Sequence, residues 1–194
     1  MTEFEDPLGA TPLDAEDMEG LRLSHITKRA DLDRWEQENI LAAEDWLWAG
    51  TKRDVVSERF LLSLHERMFG DVWKWAGRYR TSDKNIGVHH WHAAVEVRKL
   101  CEDARVWIDR ESYSPEEIVA RMHHRLVFIH PFVNGNGRHS RLWADLILVQ
   151  VFKRPRFTWG SDTLQAGDVR DRYLEALRAA DTRDYGPLLQ FVRS

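Results

Sequence analysis

His130-Pro131-Phe132-Val133-Asn134-Gly135-Asn136-Gly137-Arg138-His139-Ser140-Arg141 runs straight into Leu142-Trp143-Ala144-Asp145-Leu146-Ile147-Leu148-Val149-Gln150-Val151-Phe152. The second stretch decides the fold. Leu142, Trp143, Leu146, Ile147, Leu148, Val149, Val151 and Phe152 leave it apolar on nearly every side. A helix of that kind has to be surrounded by other helices. It is read as the central element of an all-α bundle. The first stretch is a loop, because Pro131 interrupts the helix before it and two glycines loosen the chain. The loop therefore feeds the N-terminus of a buried helix over 138–152.

Outward from this centre, helical spacing recurs. Leu32, Trp35, Asn39, Ala43, Trp46 and Leu47 mark one face of a helix over about 31–49. Val56, Phe60, Leu64 and Met68 mark a second, ended by Gly70, and Ala94, Val97, Leu100, Ala104, Trp107 and Ile108 a third. Ser114-Pro115-Glu116-Glu117 opens a fourth with a serine cap, a first-turn proline and a glutamate placed for a capping box. That helix should carry Ile118, Met122, Arg125 and Leu126 toward His130. Val169, Tyr173, Leu177 and Ala180 mark a later helix, and Leu188, Leu189 and Val192 a short last one. Between Gly77 and Trp91 the helical period is lost. Gly77-Arg78-Tyr79-Arg80-Thr81 and Val88-His89-His90-Trp91 flank a polar centre and are expected to pair as a small hairpin.

The loop carries the chemistry. Gly135-Asn136-Gly137 lets backbone amides converge on one point, and a helix start adds free N–H groups and a positive dipole end. That combination is a phosphate site. Arg138 begins the helix and Arg141 follows three residues on, so both are expected to lean over the same end, where guanidinium forks suit phosphate oxygens. His130, with an ordinary pKa near 6.5, stands at the other lip as a candidate general base. Base, nest and two arginines form a kit for moving a phosphate-containing group onto a hydroxyl. A glycine pair after a proline can also be a plain helix–helix turn; the coincidence of all four features decides against that.

Bulk properties are compatible. With 194 residues, 43% hydrophobic and 31% charged, the chain reads as one folded globular domain. A net charge of −4 gives no footprint for nucleic acid or an anionic membrane. Residues 1–20 hold seven acidic side chains (Glu3, Glu5, Asp6, Asp14, Glu16, Asp17, Glu19) and no basic one. They read as an acidic leader, either solvated or folded back onto a basic site. Cys101 is the lone cysteine, which fits a reducing compartment, and neither a signal peptide nor a spanning segment is visible. A cytoplasmic protein is expected. Nine tryptophans read as core and interface anchors. His89, His90, His92, His123, His124 and His139 invite a metal reading, but no cysteine pair or His-Glu-X-X-His supports zinc. His89 and His90 are expected on opposite faces of a strand, and His123 and His124 toward solvent or capping neighbouring groups. A nuclease built on His130, Asn136 and His139 would need a ββα-metal fold that the apolar helix contradicts.

Residues 130–141 resemble the Fic motif, His-X-Phe-X-(Asp/Glu)-Gly-Asn-Gly-Arg-X-X-Arg, at every fixed position except Asn134. Trp75-Ala76-Gly77-Arg78-Tyr79-Arg80 and the Tyr173…Leu177…Pro187-Leu188 pattern extend the resemblance over about 55–193. The leader, taken as 1–30, and the helix at 31–49 resemble the Fic subfamily found near mobile elements, the mobile mystery protein B type. The resemblance implies a Fic-type helical bundle in one domain over 31–194, with a hairpin flap. It implies transfer of AMP from ATP to a Ser, Thr or Tyr hydroxyl of a target protein. In that reading His130 is the base, and the amides of Gly135, Asn136 and Gly137 hold the α- and β-phosphates. The Asn136 side chain orients the α-phosphate, Arg138 the β-phosphate and Arg141 the γ-phosphate, while Phe132 anchors the loop. Ser82, Asp83, Lys84, Asn85, Ile86, Gly87 and Val88 form the flap, adding a strand to the target's backbone. Position 134 in the family is the carboxylate ligand of Mg2+; an Asn oxygen brings no charge. That opens three outcomes: weak metal use, another donor or a phosphotransfer, or a degenerate nucleotide-binding protein. The family also implies control by an antitoxin or by a glutamate of the form (Ser/Thr)-X-X-X-Glu-(Gly/Asn). Glu19-Gly20 matches its end, with Ala15 in place of Ser or Thr, so a contact of Glu19 or a leader neighbour with Arg141 stands as the alternative to a solvated acidic tail, the reading preferred from charge alone.

Overall fold

The computed structural model describes residues 11–26, 28–49, 53–161 and 166–194, with the side chains of 166 and 167 left out. Eight helices lie among them: α1 (Ala15–Met18), α2 (Arg29–Trp48), α3 (Glu58–Phe69), α4 (His90–Asp109), α5 (Pro115–Ile129), α6 (Asn136–Gln150), α7 (Ala166–Asp181) and α8 (Gly186–Phe191). The acidic residues Glu3, Glu5 and Asp6 of the leader fall outside the described residues.

The apolar run becomes α6 and is central. Ten of its fifteen residues are buried, which is more than one face of a helix can supply. It packs against α5 and α3, while α2 covers α3, α4 covers α5 and α8 packs on α7 and α5. Trp143 is fully buried and its indole N–H donates to Val55 O at 2.8 Å. Burying side chains such as Leu146, Ile147 and Leu148 contributes roughly 1.5–3 kcal/mol each. α6 opens at Asn136, two residues before the expected start, because Gly135 takes the left-handed N-cap position at φ 77°.

Ser114 caps α5 by accepting from Glu117 N at 3.3 Å, and Pro115 fills the first turn. The capping box is not completed: the Glu117 carboxylate turns to Arg121 at 2.7 Å. Arg125, placed by its spacing on the buried face, is half-buried and pairs with Asp103 at 2.7 Å. Among the described residues no helix is long and apolar enough to cross a membrane.

The expected hairpin is absent. Residues 77–89 hold no paired strands, and the one bridge among the described residues joins Leu21 to Trp73. Both limbs of the segment dock instead on the 129–131 stretch, Arg80 N donating to Pro131 O at 3.0 Å and Val88 N to Ile129 O at 3.3 Å. Arg80, 2% exposed, then supplies the donors a partner strand would have offered. Its guanidinium reaches Ser82 O, Val88 O and, at 2.6 Å, His130 O. Gly87 permits this closeness: its φ is 105°, and a Cβ there would stand 2.6 Å from the His130 Cβ. The segment expected to form the flap is thus a loop laced by one arginine to His130.

Candidate active site

His130 ends α5 in the left-handed conformation, φ 53° and ψ 60°, with its amide bonded to Leu126 O at 3.1 Å. The turn swings its ring from the helix toward the loop. Burial, then the charge of Arg80, pushes its pKa down to about 4, so the ring is neutral at neutral pH. Nδ1 is buried on the α5 side toward the Val127 carbonyl, without a well-formed hydrogen bond among the described residues. Nε2 lies 2.9 Å from the Thr11 hydroxyl oxygen. With the proton on Nδ1, Nε2 accepts from that hydroxyl, which is the posture of a general base.

Phe132 is 1% exposed and stacks on His65, ring centroids 3.7 Å apart. His65 is fully buried and held neutral by burial. Its Nδ1 accepts from Gly77 N and its Nε2 donates to Asn134 O, both at 3.0 Å, tying the loop to the base of the flap. Asn136 is buried, and its side chain closes on the backbone of Phe132, accepting at 3.0 Å and donating at 2.9 Å. The side chain thus braces the loop from inside, and the main-chain amide of Asn136 belongs to the helix start.

The nest itself is open. A Cβ on Gly135 would lie 2.6 Å from the Phe69 ring, so that side is packed, whereas a Cβ on Gly137 would meet nothing within 4 Å. Gly137 lines a cavity of about 360 Å³ together with His130, Arg138, Arg141, Arg170, Tyr173 and Thr11. At such a start the amides of 136–138 have no intrahelical acceptor.

The two arginines diverge. Arg138 Nη1 lies 2.6 Å from Glu36 Oε2, on α2, and the guanidinium covers the Phe69 ring. Glu36 is 4% exposed and its other oxygen accepts from Trp73 Nε1 at 2.6 Å. Arg141 instead lies over the Tyr173 ring at 4.3 Å, and Tyr173 is hydrogen-bonded to His123 at 3.0 Å. Glu36, His65 and Thr11 escape the sequence reading. Glu36 had a signal, since it continues the buried spacing Leu32, Asn39, Ala43, Leu47 with a charge. Thr11 had none.

Of the leader carboxylates read as candidates for Arg141, Glu3, Glu5 and Asp6 lie outside the described residues. Glu19 does not reach Arg141; its carbonyl accepts from Lys74 Nζ at 3.3 Å beyond the end of α1. The described part is not a solvated tail either. Asp14 caps α1, and Lys84, 5% exposed, bonds Asp17 at 2.5 Å and Asp14 at 3.1 Å. Trp75 Nε1 donates to Asp17 O at 3.1 Å.

Asn134 does not fit a magnesium ligand. Its Oδ1 accepts from Gly135 N at 2.6 Å and its Nδ2 donates to Thr11 O at 3.0 Å. Both polar atoms are engaged, and neither carries charge. Elsewhere, His89 and His90 converge on Asp83 rather than diverging, at 3.1 and 2.9 Å, because His90 opens α4 and Asp83 also accepts from its backbone N–H at 2.8 Å. His123 and His124 are buried, the latter against Asp181 at 2.9 Å. His139 is buried under α3, bonded to Leu61 O at 3.0 Å, and takes no part in the site.

Residues 55–148 match the sequence model of the Fic/DOC family. The chain is 32% identical over 136 residues to a protein adenylyltransferase Fic of Nematostella vectensis, covering 68% of this chain and 30% of that protein. It thus spans about a third of the length of this relative. Fic-1 (residues 134–508) of Caenorhabditis elegans superposes with a TM-score of 0.65 at 25% identity, over 84% of this chain and 48% of that one. BepC of Bartonella tribocorum, solved with AMPPNP bound, gives a TM-score of 0.67 at 16% identity, over 88% of both chains, a likeness of fold.

Proposed function

Because this chain carries a Fic/DOC family domain over residues 55–148, we infer that it is a protein adenylyltransferase, moving AMP from ATP to a Ser, Thr or Tyr hydroxyl. One observation carries the reading. A neutral His130 already holds a hydroxyl oxygen at 2.9 Å from Nε2, on the wall of the cavity into which the Gly137 start of α6 opens. The catalytic residue His130 removes the hydroxyl proton as the oxygen attacks the α-phosphorus. The bond to the β-phosphate breaks and pyrophosphate leaves. The amides at the start of α6 and the Arg141 guanidinium bear the phosphate charge, and Arg138 joins them once it leaves Glu36. Residues Ser82–Val88 present the target, with Arg80 fixing their distance from His130.

Asn134 favours one second reading, transfer from another donor or binding without turnover, since no carboxylate stands at that position. The mobile-element subfamily, a cytoplasmic setting and an antitoxin partner rest on the sequence resemblance and the lone Cys101. Incubation with ATP labelled at the α- or the γ-phosphate separates the readings. Label retained from the α position alone, and lost in His130→Ala, is expected. Retention from γ alone means phosphotransfer, and from neither, another donor or binding without turnover.

A further inference from the structure

We propose that Thr11 is an acceptor of the chain's own transfer reaction, receiving the adenylyl group on Oγ1. This rests on the adenylyltransferase reading and names a substrate hydroxyl for it. Thr11 is 7% exposed although it belongs to the leader, and its Oγ1 lies 2.9 Å from His130 Nε2. Its carbonyl is held by Asn134 Nδ2 at 3.0 Å. Two contacts, one to the hydroxyl and one to the backbone, fix both the position and the direction of the side chain.

The departure at position 134 acquires a purpose here. A carboxylate has no N–H to donate and would set an anionic oxygen against the Thr11 carbonyl. Asn does the opposite and clips the leader. Pro12 adds to the presentation, since a residue before proline is held extended. Beyond it, α1 is moored to the flap by Lys84 and to Trp75, so the leader runs from the flap to the base. Thr11 lines the same cavity as Gly137 and Arg141. Its hydroxyl therefore occupies the place of a target hydroxyl, with its proton already directed at the base.

The step balances without a further reagent. The Oγ1–Pα bond forms, the bond from Pα to the β-phosphate oxygen breaks, pyrophosphate departs and the hydroxyl proton passes to His130 Nε2. The acceptor is tethered, so the reaction is intramolecular and gains from proximity.

The test uses the full chain with α-labelled ATP. Arg22 is the first basic residue, so trypsin releases 1–22 as one peptide, in which Thr2 and Thr11 are the only hydroxyl side chains. Fragmentation should place an adenylyl group on Thr11, at a rate per molecule unchanged by tenfold dilution of the protein. The adduct should vanish in His130→Ala and Thr11→Val and persist on Ser in Thr11→Ser, a pattern that misfolding of the valine variant would not give. Label on Thr2 or elsewhere with Thr11 bare, or a peptide labelled equally in Thr11→Val, overturns this inference and leaves the adenylyltransferase reading standing. No label on the chain or on added proteins, in wild type and Thr11→Val alike, sinks both.

Discussion

Glu36→Gln should tighten nucleotide binding. The proposed reading puts Arg138 at the phosphates, yet Glu36 Oε2 holds its Nη1 at 2.6 Å. Opposite charges about 4 Å apart attract by about 4 kcal/mol at an effective dielectric near 20. The Arg138 side chain is 39% exposed, so solvent screens much of that, and about 1–2 kcal/mol is a reasonable remainder. A polyphosphate has to displace this carboxylate before it gains the guanidinium. Glutamine keeps an acceptor for Trp73 Nε1 but removes the competing charge. Affinity for a non-hydrolysable ATP analogue should rise by about 5–30-fold, the factor that 1–2 kcal/mol supplies. Stability should change by under about 1 kcal/mol, because losing the pair is offset by no longer burying a carboxylate. Calorimetric titration of wild type, Glu36→Gln, Arg138→Ala and the double variant closes a cycle. The gain must disappear in the Arg138→Ala background. Unchanged or weaker binding in Glu36→Gln, with an unaltered melting temperature, would refute the competition.

The glycines of the nest should separate in their effects. Gly137→Ala should leave the fold as stable or more so, by roughly 0.5–1 kcal/mol, while weakening nucleotide binding, because its methyl enters the cavity. Gly135→Ala should lower the melting temperature, its Cβ striking Phe69 at a positive φ; equal losses of stability in both would count against the geometry. Asn134→Asp should free Thr11, and the His130 pKa, followed by NMR of its ring proton, should climb from about 4 toward the ordinary value as water and the new carboxylate reach the ring; an unmoved titration would show that the leader is not clipped there. Acid should unfold the protein through its histidines. Burial holds His65 well below 6.5, His130 to about 4, and His123 and His139 to about 3, so the unfolded chain binds more protons between those values. Their contribution is full above pH 6.5 and is lost as pH falls toward 4. Asp145, pushed up to about 6 by burial, opposes them with one proton. Net uptake on unfolding near pH 5 should therefore approach three protons in denaturant titrations, and a flat stability profile from pH 7 to 5 would contradict the burial of these rings.

What the sequence made legible, and what it did not, follows from the range of the forces involved. Helices α2 to α8 were readable because each depends on its own spacing of apolar side chains, whereas α1, one turn long, has too few residues to show a period. α6 was readable above all, since a helix apolar on every side has a single home. The loop at 130–141 was readable because proline, glycine and a helix start act over a few residues. The flap failed for the opposite reason. Its two limbs around a polar centre suited a hairpin, but donors to its carbonyls at Ser82 and Val88 come from one side chain, Arg80, and the amides of Arg80 and Val88 reach residues 129–131. No period in the local sequence encodes that. Arg138 and Arg141 share a helix end, yet each orientation is set by a partner far along the chain, Glu36 in one case and Tyr173 in the other.

Position 134 shows how the same limit hid a function. Taken alone, Asn for a carboxylate is a lost charge, and the loss points to a weakened enzyme. With Thr11 123 residues away but one hydrogen bond distant, the same atoms become a gain, a donor that a carboxylate lacks. The His130 ring reads alike. Burial lowers its basicity, which on its own slows proton abstraction, but it also keeps the ring neutral and Nε2 free to accept at any pH above about 4. The two changes reinforce each other only if a hydroxyl is delivered to that nitrogen in the closed site. The leader makes that delivery through Lys84 and Asn134, so substitution at either should alter which hydroxyl the base meets before it alters whether the base can act.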